Sequence, residues 1–365
     1  MMNEGLQEGL YFMAVLLSLI SIIATIASLI KWDNWWIRMF DFPRLQITFI
    51  TMAAMALMLV PPNPPGFWNW LFFGLLLISL VYQLAKVYPY TWLAKRQVQT
   101  YNGDEKEKLI SLLISNVLTP NQKYDRLTGL VKEFNPDLIL TLETDKRWEK
   151  ALEELEEEYK YTVKVPLDNF YGMHLYSRLE LKDMEVLYLI DKEIPSIHGK
   201  VLLRSGDAVE IHCLHPMPPS PTESATSTDR DAELLLVGKE VDTDKGPVLV
   251  FGDLNDVAWS RTTKLFQELS GLLDPRIGRG FYNTFHANYA IFRWPLDHVF
   301  HSNDFTVKRI KRMRKIGSDH FPMFITLHLE PRAKEVQEEP EADQDDKEWA
   351  EEKIAKADPI QEDID

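Results

Sequence analysis

The stretch PVLVFGDLND, residues 247–256, decides how the rest of the sequence is interpreted. Its apolar run, residues 248–251, is typical of a buried strand, and it ends at Gly252, where the backbone can turn tightly or approach a ligand closely. Three polar side chains come next: Asp253, Asn255 and Asp256. Oxygen groups of this kind at a strand end suit Mg²⁺ or Mn²⁺ and phosphate rather than zinc. The alternative for this stretch alone is an Asx-rich turn that only ends a strand.

Polar side chains also come after apolar, strand-like runs elsewhere in the chain. Asn116 comes directly after residues 108–115, and Glu143 comes directly after residues 138–142. His215 likewise comes directly after the strand-like run 208–214. Asp297 lies within another strand-like piece, and the Asp319–His320 pair comes directly before the last one, residues 321–329. Because strand ends of one sense collect at one edge of an α/β sheet, we expect these groups to converge. Together they supply carboxylates for a divalent ion, amides for phosphate oxygens and imidazoles for proton transfer.

The chain has 365 residues and a formal charge of −15, which is unevenly distributed. Residues 1–100 are strongly apolar, whereas residues 330–365 contain 15 acidic and 5 basic side chains. The middle is mildly acidic, which argues against broad, sequence-independent binding of duplex DNA, because such binding needs many cationic contacts to phosphates. A small or headgroup-sized phosphate substrate fits this charge better. The single cysteine, Cys213, excludes an intrachain disulfide.

Three apolar runs, near residues 10–30, 45–62 and 67–86, indicate a transmembrane region within residues 1–98. The first run is long enough to cross a bilayer core of about 30 Å, and it lacks the basic segment and cleavage site of a signal peptide. The apolar part of the second run, residues 47–60, is short, so it either spans a thinned bilayer or enters without crossing. The alternative is a buried helical bundle of a soluble protein.

Positive charges set the expected orientation of this region. Two groups of basic residues flank the runs: Lys31, Arg38 and Arg44 in the first link, and Lys86, Lys95 and Arg96 after the third run. With three spans, the positive-inside rule places the first link and the downstream domain on the cytoplasmic side of a bacterial-type inner membrane. If residues 47–60 do not cross, this inference changes.

The remaining chain is expected to form one α+β domain over residues 104–331. A strand, a helix and a second strand, at residues 108–115, 123–134 and 138–142, have the spacing of a unit that joins parallel neighbours. Other expected elements are a surface helix at 145–159, a hairpin at 201–214 and a helix at 228–241. The acidic tail, residues 332–365, is expected to be disordered.

Six motifs within this domain, in this order, closely resemble those of the endonuclease/exonuclease/phosphatase superfamily, which has the DNase-like fold. The motifs are SNVL, LTLETD, LHPMPP, GDLND, PLDHVF and GSDHFP, and the match runs from about residue 108 to residue 329. The resemblance implies a two-sheet α/β sandwich with four layers and its site at one edge. With the transmembrane helices in front of it, the chain resembles a membrane-anchored bacterial branch of that superfamily.

The resemblance also implies a metal centre for Mg²⁺ or Mn²⁺. It places a metal ligand at Glu143, with Asn116 beside it holding metal or phosphate. Asp319 would lie next to the ion.

The same resemblance implies catalytic roles for residues of the other motifs. His215 would hydrogen-bond the scissile phosphate, Asp253 would orient or activate the attacking water, and Asn255 would bind a phosphate oxygen. His320 would act as general base or transition-state stabiliser. Asp297 would orient that histidine or support the metal, since a carboxylate partner fixes the imidazole tautomer.

Two further features bear on the substrate. KRIKRMRK, residues 308–315, is either a solvated strand face or an electrostatic collar that attracts anionic substrates or lipid headgroups. Arg276 and Arg279 are candidates for a phosphate-binding fork, and Tyr171 is a further candidate for phosphate binding.

The sequence therefore predicts a membrane-anchored, divalent-metal-dependent phosphoesterase that hydrolyses a phosphate ester or a pyrophosphate. A catalytic domain so close to a membrane span favours a lipid-linked phosphate, with membrane lipid as a partner. The first alternative is a membrane-tethered nuclease acting on nucleic acid, which would bind its substrate with strong salt dependence. The second alternative is a non-catalytic binding module of the same fold, and the intact set of polar strand ends argues against it.

Overall fold

The computed structural model of the chain describes residues 4–60, 66–357 and 359–360. The proline-rich link, the end of the predicted second apolar run and the last residues of the tail lie outside these ranges. The N-terminal part contains four α-helices in the described residues: α1 (Glu4–Leu29), α2 (Trp35–Arg38), α3 (Arg44–Met58) and α4 (Phe67–Val87).

Helices α1, α3 and α4 pack against one another through small and polar side chains. The hydroxyls of Ser21 and Thr51 are 2.8 Å apart, and the Gln83 amide donates a hydrogen bond of 3.0 Å to Thr25. Large apolar side chains point outward instead, among them Phe12, Ile23, Phe49 and Ile78. This distribution is the reverse of a water-soluble bundle and is typical of helices that associate in lipid.

Two helical stretches are long and apolar enough to cross a membrane, judged by length and composition: Glu4–Leu29 and Phe67–Tyr90. The third helix, Arg44–Met58, has 15 residues, which corresponds to a length of about 22 Å. It is shorter than the apolar core of a bilayer, so a crossing by this helix stays a prediction.

The chain after the helical region forms eleven strands and five helices in the described residues. The strands are β1 (Leu109–Asn116), β2 (Leu138–Leu142), β3 (Tyr161–Val165), β4 (Met173–Ser177), β5 (Leu181–Leu187), β6 (Ser196–Leu202), β7 (Ala208–Leu214), β8 (Val248–Asp253), β9 (Asp297–His301), β10 (Phe305–Arg312) and β11 (Met323–Leu329). The helices are α5 (Tyr124–Phe134), α6 (Lys146–Ala151), α7 (Thr228–Glu240), α8 (Arg261–Ser270) and α9 (Gln344–Ala357).

The described strands form two mixed sheets that pack face to face. One sheet has the order β10-β11-β1-β2-β4-β3, and the other has the order β5-β6-β7-β8-β9. The pairs β1/β2 and β7/β8 are parallel, and the other pairs are antiparallel. Apolar side chains of both sheets fill the space between them, and α5 and α7 cover the outer faces. The predicted α+β sandwich of the DNase-like fold is confirmed.

Local sequence signals explain several of these elements. The apolar face of α5, with Leu127, Leu130 and Val131, is buried against its sheet, and the helix ends at Asn135 in the left-handed conformation. Ser260 caps α8 by accepting a hydrogen bond from the Thr263 amide. The predicted strand–helix–strand unit with parallel strands is therefore present as β1, α5 and β2.

The helical region is fixed to the sandwich by direct contacts. The indole of Trp259 donates a 2.8 Å hydrogen bond to the carbonyl of Asp41, and the hydroxyl of Tyr90 donates one of 2.6 Å to the carbonyl of Ala258. Backbone bonds from Trp35 to Ala225 and from Ser227 to Asp33 add to this attachment. The two parts therefore form a docked pair rather than a domain on a free tether.

Two expectations about helices are wrong. The predicted helix at 145–159 is α6 followed by a 3₁₀ segment, Glu153–Glu157, because Leu152 leaves the helical conformation with φ −97° and ψ 1°. The tail is not disordered throughout, because α9 forms within it. Its few apolar residues, Trp349, Ala350 and Ile354, lie on one face and pack near Leu235. The many acidic residues of the tail made this short apolar face hard to recognise in the sequence.

A buried lysine holds α9 in place. The Lys353 ammonium lies 2.7 Å from Asp33, in the first link, and 2.7 Å from Asp231, in α7, and its side chain is 4% exposed. Asp231 also pairs with Arg230 at 2.7 Å. One cation of the tail therefore joins the helical region, the sandwich and the C-terminal helix.

Replacement of Lys353 by methionine is expected to destabilise the protein by about 3–5 kcal/mol, because Asp33 loses its cationic partner and the buried Asp231 keeps Arg230 as its one ion-pair partner among the described residues. The thermal unfolding midpoint in detergent should fall by several degrees. Lys356→Met, at an exposed position of the same helix, serves as the control and should stay within about 0.5 kcal/mol of the parent. Equal midpoints for both variants would contradict the assignment of Lys353 as the anchor.

Candidate active site

The polar residues predicted from the sequence meet at one edge of the sandwich. In the first sheet, parallel strands β1 and β2 place Asn116 and Glu143 side by side. In the second sheet, parallel strands β7 and β8 place His215 next to Asp253. Asp297, the first residue of β9, is the register partner of Asp253. The carboxyl ends of both parallel pairs therefore face the same edge, as the strand-end pattern predicts.

Backbone conformation at this edge explains part of the GDLND motif. Gly252 has φ +151°, and a Cβ at this position would lie 1.9 Å from the carbonyl oxygen of Leu214, so only glycine allows the approach of β8 to β7. Glu143 and Asn255 adopt positive φ angles of 60° and 50°. Non-glycine residues in this conformation carry strain, and such residues are concentrated at functional sites.

One oxygen, Oδ2 of Asp253, lies at the centre of the group. It accepts a 3.1 Å hydrogen bond from the Asn116 amide, and it is 3.4 Å from Nε2 of His320 and 4.0 Å from Nε2 of His215. The same Asn116 amide donates a 2.7 Å hydrogen bond to Glu143. Asn116 therefore bridges the two sheets and holds two carboxylates close together.

His320 lies between two carboxylates. Its Nδ1 is 2.9 Å from Asp297, and its Nε2 faces Asp253. Burial alone would lower the pKa of His320, but the charges of Asp253 and Asp297 outweigh burial and raise the pKa to about 10. The ring is therefore an imidazolium at neutral pH, oriented by Asp297. Of the two roles left open for Asp297, the geometry matches the orientation of this histidine.

His215 has the opposite protonation state. Burial lowers its pKa to about 4, although the charge of Asp253 works in the other direction. Its Nδ1 is buried without a hydrogen-bond partner in the described residues. A neutral imidazole and an imidazolium thus flank the same Asp253 oxygen, and pairs of titrating groups whose environments separate their pKa values are typical of acid–base sites.

These groups line a cavity of about 730 Å³. Its described carboxylate and imidazole side chains are Glu143, Glu223, Asp253, Asp319, His215 and His320. None of the described residues that line it is a lysine or an arginine. One imidazolium cannot compensate four carboxylates, so a phosphate anion would be repelled unless a cation enters with it.

The chemistry of the residues fits a divalent ion. Oε2 of Glu143 is buried and has no hydrogen-bond partner in the described part of the chain, whereas Oε1 accepts from Asn116. Burial raises the pKa of Glu143 to about 7, and a bound cation would favour its ionised form. Asp319 is close enough to influence that pKa and lines the same cavity. Carboxylate oxygens of this kind suit Mg²⁺ or Mn²⁺.

A family model described as the Endonuclease/Exonuclease/phosphatase family matches residues 110–320, a range that contains all the site residues described above, from Asn116 to His320. The chain belongs to this family. Its members are typically metal-dependent phosphoester hydrolases. No curated protein matches the chain. The membrane-anchored bacterial branch of the family stays a prediction.

Several solved structures are similar to this chain at low sequence identity. Humanized D. rerio TDP2 is 17% identical, with 60% of this chain and 99% of that chain covered at a TM-score of 0.49. An endonuclease/exonuclease/phosphatase from Bacteroides vulgatus is 16% identical, with coverage of 61% and 99% at 0.49. The human Nocturnin catalytic domain with bound sulfate is 15% identical, with coverage of 60% and 94% at 0.49.

A second group of residues lies close enough together to hold a metal ion. One ligand atom each of Asp253, Asp297 and His320 lies within 4.8 Å of the others, among the residues that the structure describes. However, both His320 nitrogens face carboxylates, and a histidine must be neutral to ligate a metal. The imidazolium itself therefore provides the positive charge in this group.

The prediction that Arg276 and Arg279 form a phosphate-binding fork is wrong, because neither residue lines the cavity. Arg276 is fully buried and forms a 2.7 Å ion pair with Asp274. It also donates a 2.6 Å hydrogen bond to Nδ1 of His298, and Nε2 of His298 is then the donor of the 2.8 Å bond to the Asp256 carbonyl. Arg276 thus supports the loop after β8 from behind.

Arg279 supports the chain that enters the sandwich. Its guanidinium donates to the carbonyl of Val98 at 2.6 Å and to Thr100 at 3.1 Å. The basic run at 308–315 belongs largely to β10, and none of its residues lines the cavity. Lys311 lies over the ring of Phe134, and Arg312 lies over that of Phe321. The structure therefore matches the solvated strand face rather than the electrostatic collar.

Tyr171 lies in the cavity as expected, but its hydroxyl donates to Glu223. Three residues that sequence reasoning missed also matter. Glu223 and Phe42 line the cavity, and Arg230 donates a 2.9 Å hydrogen bond to the carbonyl of Asn255. Nothing in the local sequence marks these residues, because their partners are far away in the chain.

Loss of the His320 imidazolium should change stability in a pH-dependent way. Because its folded pKa of about 10 lies above the ordinary value of 6.5, its contribution is complete below pH 6.5 and is lost as pH rises toward 10. The stability difference between the parent and His320→Gln, measured by thermal unfolding with a chelator present, should shrink across this range.

His174→Gln provides the matched control. His174 is buried, and burial lowers its pKa to about 3, so it is neutral across the whole window. The cost of this substitution should stay constant between pH 6.5 and 10. A cost of His320→Gln that is equally constant would contradict the buried imidazolium.

Proposed function

We propose that this chain is a membrane-anchored phosphoesterase that requires Mg²⁺ or Mn²⁺ and hydrolyses a phosphate ester or a pyrophosphate. The observation that carries the proposal is the cavity in which Asn116, Glu143 and Asp319 accompany Asp253 and His320. Asp297 holds His320 from outside the cavity lining. The carboxylates of the cavity need a cation to balance their charge, and the imidazolium of His320 attracts an anion. The carboxylate of Asp253, which is held in place by hydrogen bonds, faces the positions of both ions.

Glu143 and Asp319 are the residues that would hold the ion, with Asn116 as the third member of the predicted set. When bound, a divalent ion supplies Lewis-acid polarisation of a phosphoryl oxygen and neutralises charge at that oxygen. The amide nitrogen of Asn116 donates hydrogen bonds to Glu143 and Asp253. Its amide oxygen accepts a 3.1 Å hydrogen bond from the backbone N–H of Leu118. Its first effect is therefore to fix the two carboxylates.

The protein's own groups then divide the remaining work. Asp253 would orient the attacking water and accept its proton at Oδ2. His320, held by Asp297, would stabilise the negative charge that develops on the phosphoryl oxygens, and its raised pKa favours this role over that of general base. His215, which is neutral, would hydrogen-bond the phosphate. Asn255, which lines the cavity, would bind a phosphate oxygen, and a 2.9 Å hydrogen bond from its side-chain amide to the carbonyl of Pro216 fixes its position.

The rival functions are less well supported. A nuclease needs cationic side chains along the path of the polynucleotide, and the described lining of the cavity has none. A non-catalytic module would not be expected to retain every polar group of the site. The outward-facing apolar side chains of α1, α3 and α4 support membrane anchoring by the region 1–98, followed by a catalytic domain over 104–331.

Substitution of the central groups should reduce hydrolysis strongly. Asp253→Asn and His320→Gln are each expected to lower kcat by about 10²–10⁴-fold, and Glu143→Gln should raise the Mn²⁺ concentration needed for half-maximal activity. Rates of purified full-length protein on phosphomonoesters, phosphodiesters and pyrophosphates test this. His174→Gln is the control, since His174 lies outside the cavity. Full activity of both Asp253→Asn and His320→Gln would refute the proposed site.

The catalytic domain is proposed to lie on the cytoplasmic side of a multi-pass inner membrane protein. Cys213 is buried, so a cysteine introduced at the exposed position Lys356 can be labelled selectively with a membrane-impermeant maleimide. Labelling is expected in inverted vesicles and not in intact cells, because the basic residues of the first link favour the cytoplasmic side. Labelling in intact cells would place the domain on the opposite side.

A further inference from the structure

The catalytic cavity is lined by both polar and apolar side chains. The polar part carries the carboxylates and imidazoles around Asp253. Three apolar residues of the lining, here called the apolar side, come from distant parts of the chain: Phe42, Phe285 and Leu296. The ring of Phe285 lies 5.0 Å from that of His320, so this apolar side adjoins the polar groups directly. A purely polar substrate, such as an inorganic or sugar phosphate, leaves such a surface without a partner, whereas an apolar group beside the phosphate would cover it.

Phe42 belongs to the helical region and not to the sandwich. It lies two positions before Arg44, the first residue of α3. Its ring meets that of Trp294 edge to face at 5.7 Å, and both rings join the apolar cluster that contains Tyr90, Trp259 and Leu296. The apolar side of the cavity is therefore continuous with the layer that connects the catalytic domain to the apolar helices.

The loop after Phe285 extends this apolar surface outward. Tyr289, Ile291 and Phe292 are 60%, 72% and 54% exposed, which is unusual for three large apolar residues so close together in a water-soluble loop. The side chain of Gln46, in the first turn of α3, donates a hydrogen bond to the carbonyl of Ile291. The exposed apolar tip thus lies beside the N-terminal end of α3. Exposed apolar and aromatic residues at the end of an apolar helix are typical of contact with a membrane surface.

We propose that the cavity binds an amphiphilic phosphoester, with the phosphate at Asp253 and a long hydrocarbon chain passing along Phe42, Phe285 and Leu296 towards the bilayer. Phe42 then determines specificity, because it brings a surface of the membrane region into the catalytic cavity. The inference rests on the proposed phosphoesterase function and adds the substrate class to it. An isoprenoid phosphate and a glycerolipid phosphate share this chemistry.

The test uses full-length protein in mixed micelles with Mn²⁺ and substrates that share one phosphate or pyrophosphate head. One substrate has a short, water-soluble chain, and the long chains are isoprenoid in one arm and diacylglycerol in the other. The parent should prefer a long chain by about ten-fold or more in kcat/KM, since burial of several methylene groups is worth that much. The arm with the higher value identifies the source of the chain.

Phe42→Ala should lower kcat/KM for the long-chain substrate about ten-fold and change that for the short-chain substrate by less than about two-fold. Phe42→Leu should restore most of the preference, because it restores an apolar side chain. Trp36→Ala, an exposed aromatic in the same link that does not line the cavity, is the matched control and should behave as the parent. Retained short-chain activity shows that each variant is folded.

The two proposals fail in different ways. Hydrolysis of short and long chains at equal efficiency, or equal losses on both in Phe42→Ala, would overturn the amphiphile inference and leave the phosphoesterase in place. Absence of hydrolysis on every substrate would refute the proposed activity. In that case, binding of a long-chain alkylphosphonate to the parent, weakened in Phe42→Ala and not in Trp36→Ala, would still support the apolar subsite, and chain-independent binding would refute it.

Discussion

The structure depends on a concentration of negative charge that the fold itself creates. Two parallel strand pairs, one in each sheet, bring their carboxyl ends to the same edge, and the residues at those ends are two acids, Glu143 and Asp253, together with Asn116 and His215. Asn116 then links the carboxylates of Glu143 and Asp253 across the two sheets. Such a site is stable only if protons or cations balance the charge. The imidazolium of His320 supplies one positive charge, and the buried, unpartnered oxygen of Glu143 indicates where, among the described residues, a metal ion would supply more.

The residues behind the site show how the fold keeps these charges in position. Arg276 acts through His298 on the carbonyl of Asp256, and Arg230 acts directly on the carbonyl of Asn255. Both arginines are fully buried and hold the loop after β8 from its rear. The cavity can therefore lack cationic side chains in its described lining while the loop that builds it remains fixed by cations. The positive charges that hold the loop in place therefore lie behind the cavity. They are separate from the positive charge that the proposed reaction requires inside it.

The helical region contributes a residue to the cavity of the sandwich domain as well as docking against that domain. Hydrogen bonds from Trp259 and Tyr90 hold the two parts together, and Lys353 ties the C-terminal helix to both. As a result, Phe42 has a defined place beside the catalytic groups. A freely tethered domain would sample many orientations at a membrane, whereas a docked one presents its cavity in a single orientation. The docking therefore fixes the orientation of the cavity relative to the apolar helices.

The sequence by itself determined the family, the strand ends that carry the polar groups and the pairing of β1 with β2. These features arise from local patterns, because an apolar run, a glycine and an acidic residue in series fix where a strand stops and which side chain its end presents. Only the tertiary structure decided which distant residues meet. It placed Phe42 and Glu223 in the cavity, removed Arg276 and Arg279 from it, and ordered the acidic tail through Lys353. The physical reason is that packing between sheets, helices and tail joins residues up to hundreds of positions apart, and no local periodicity records such contacts.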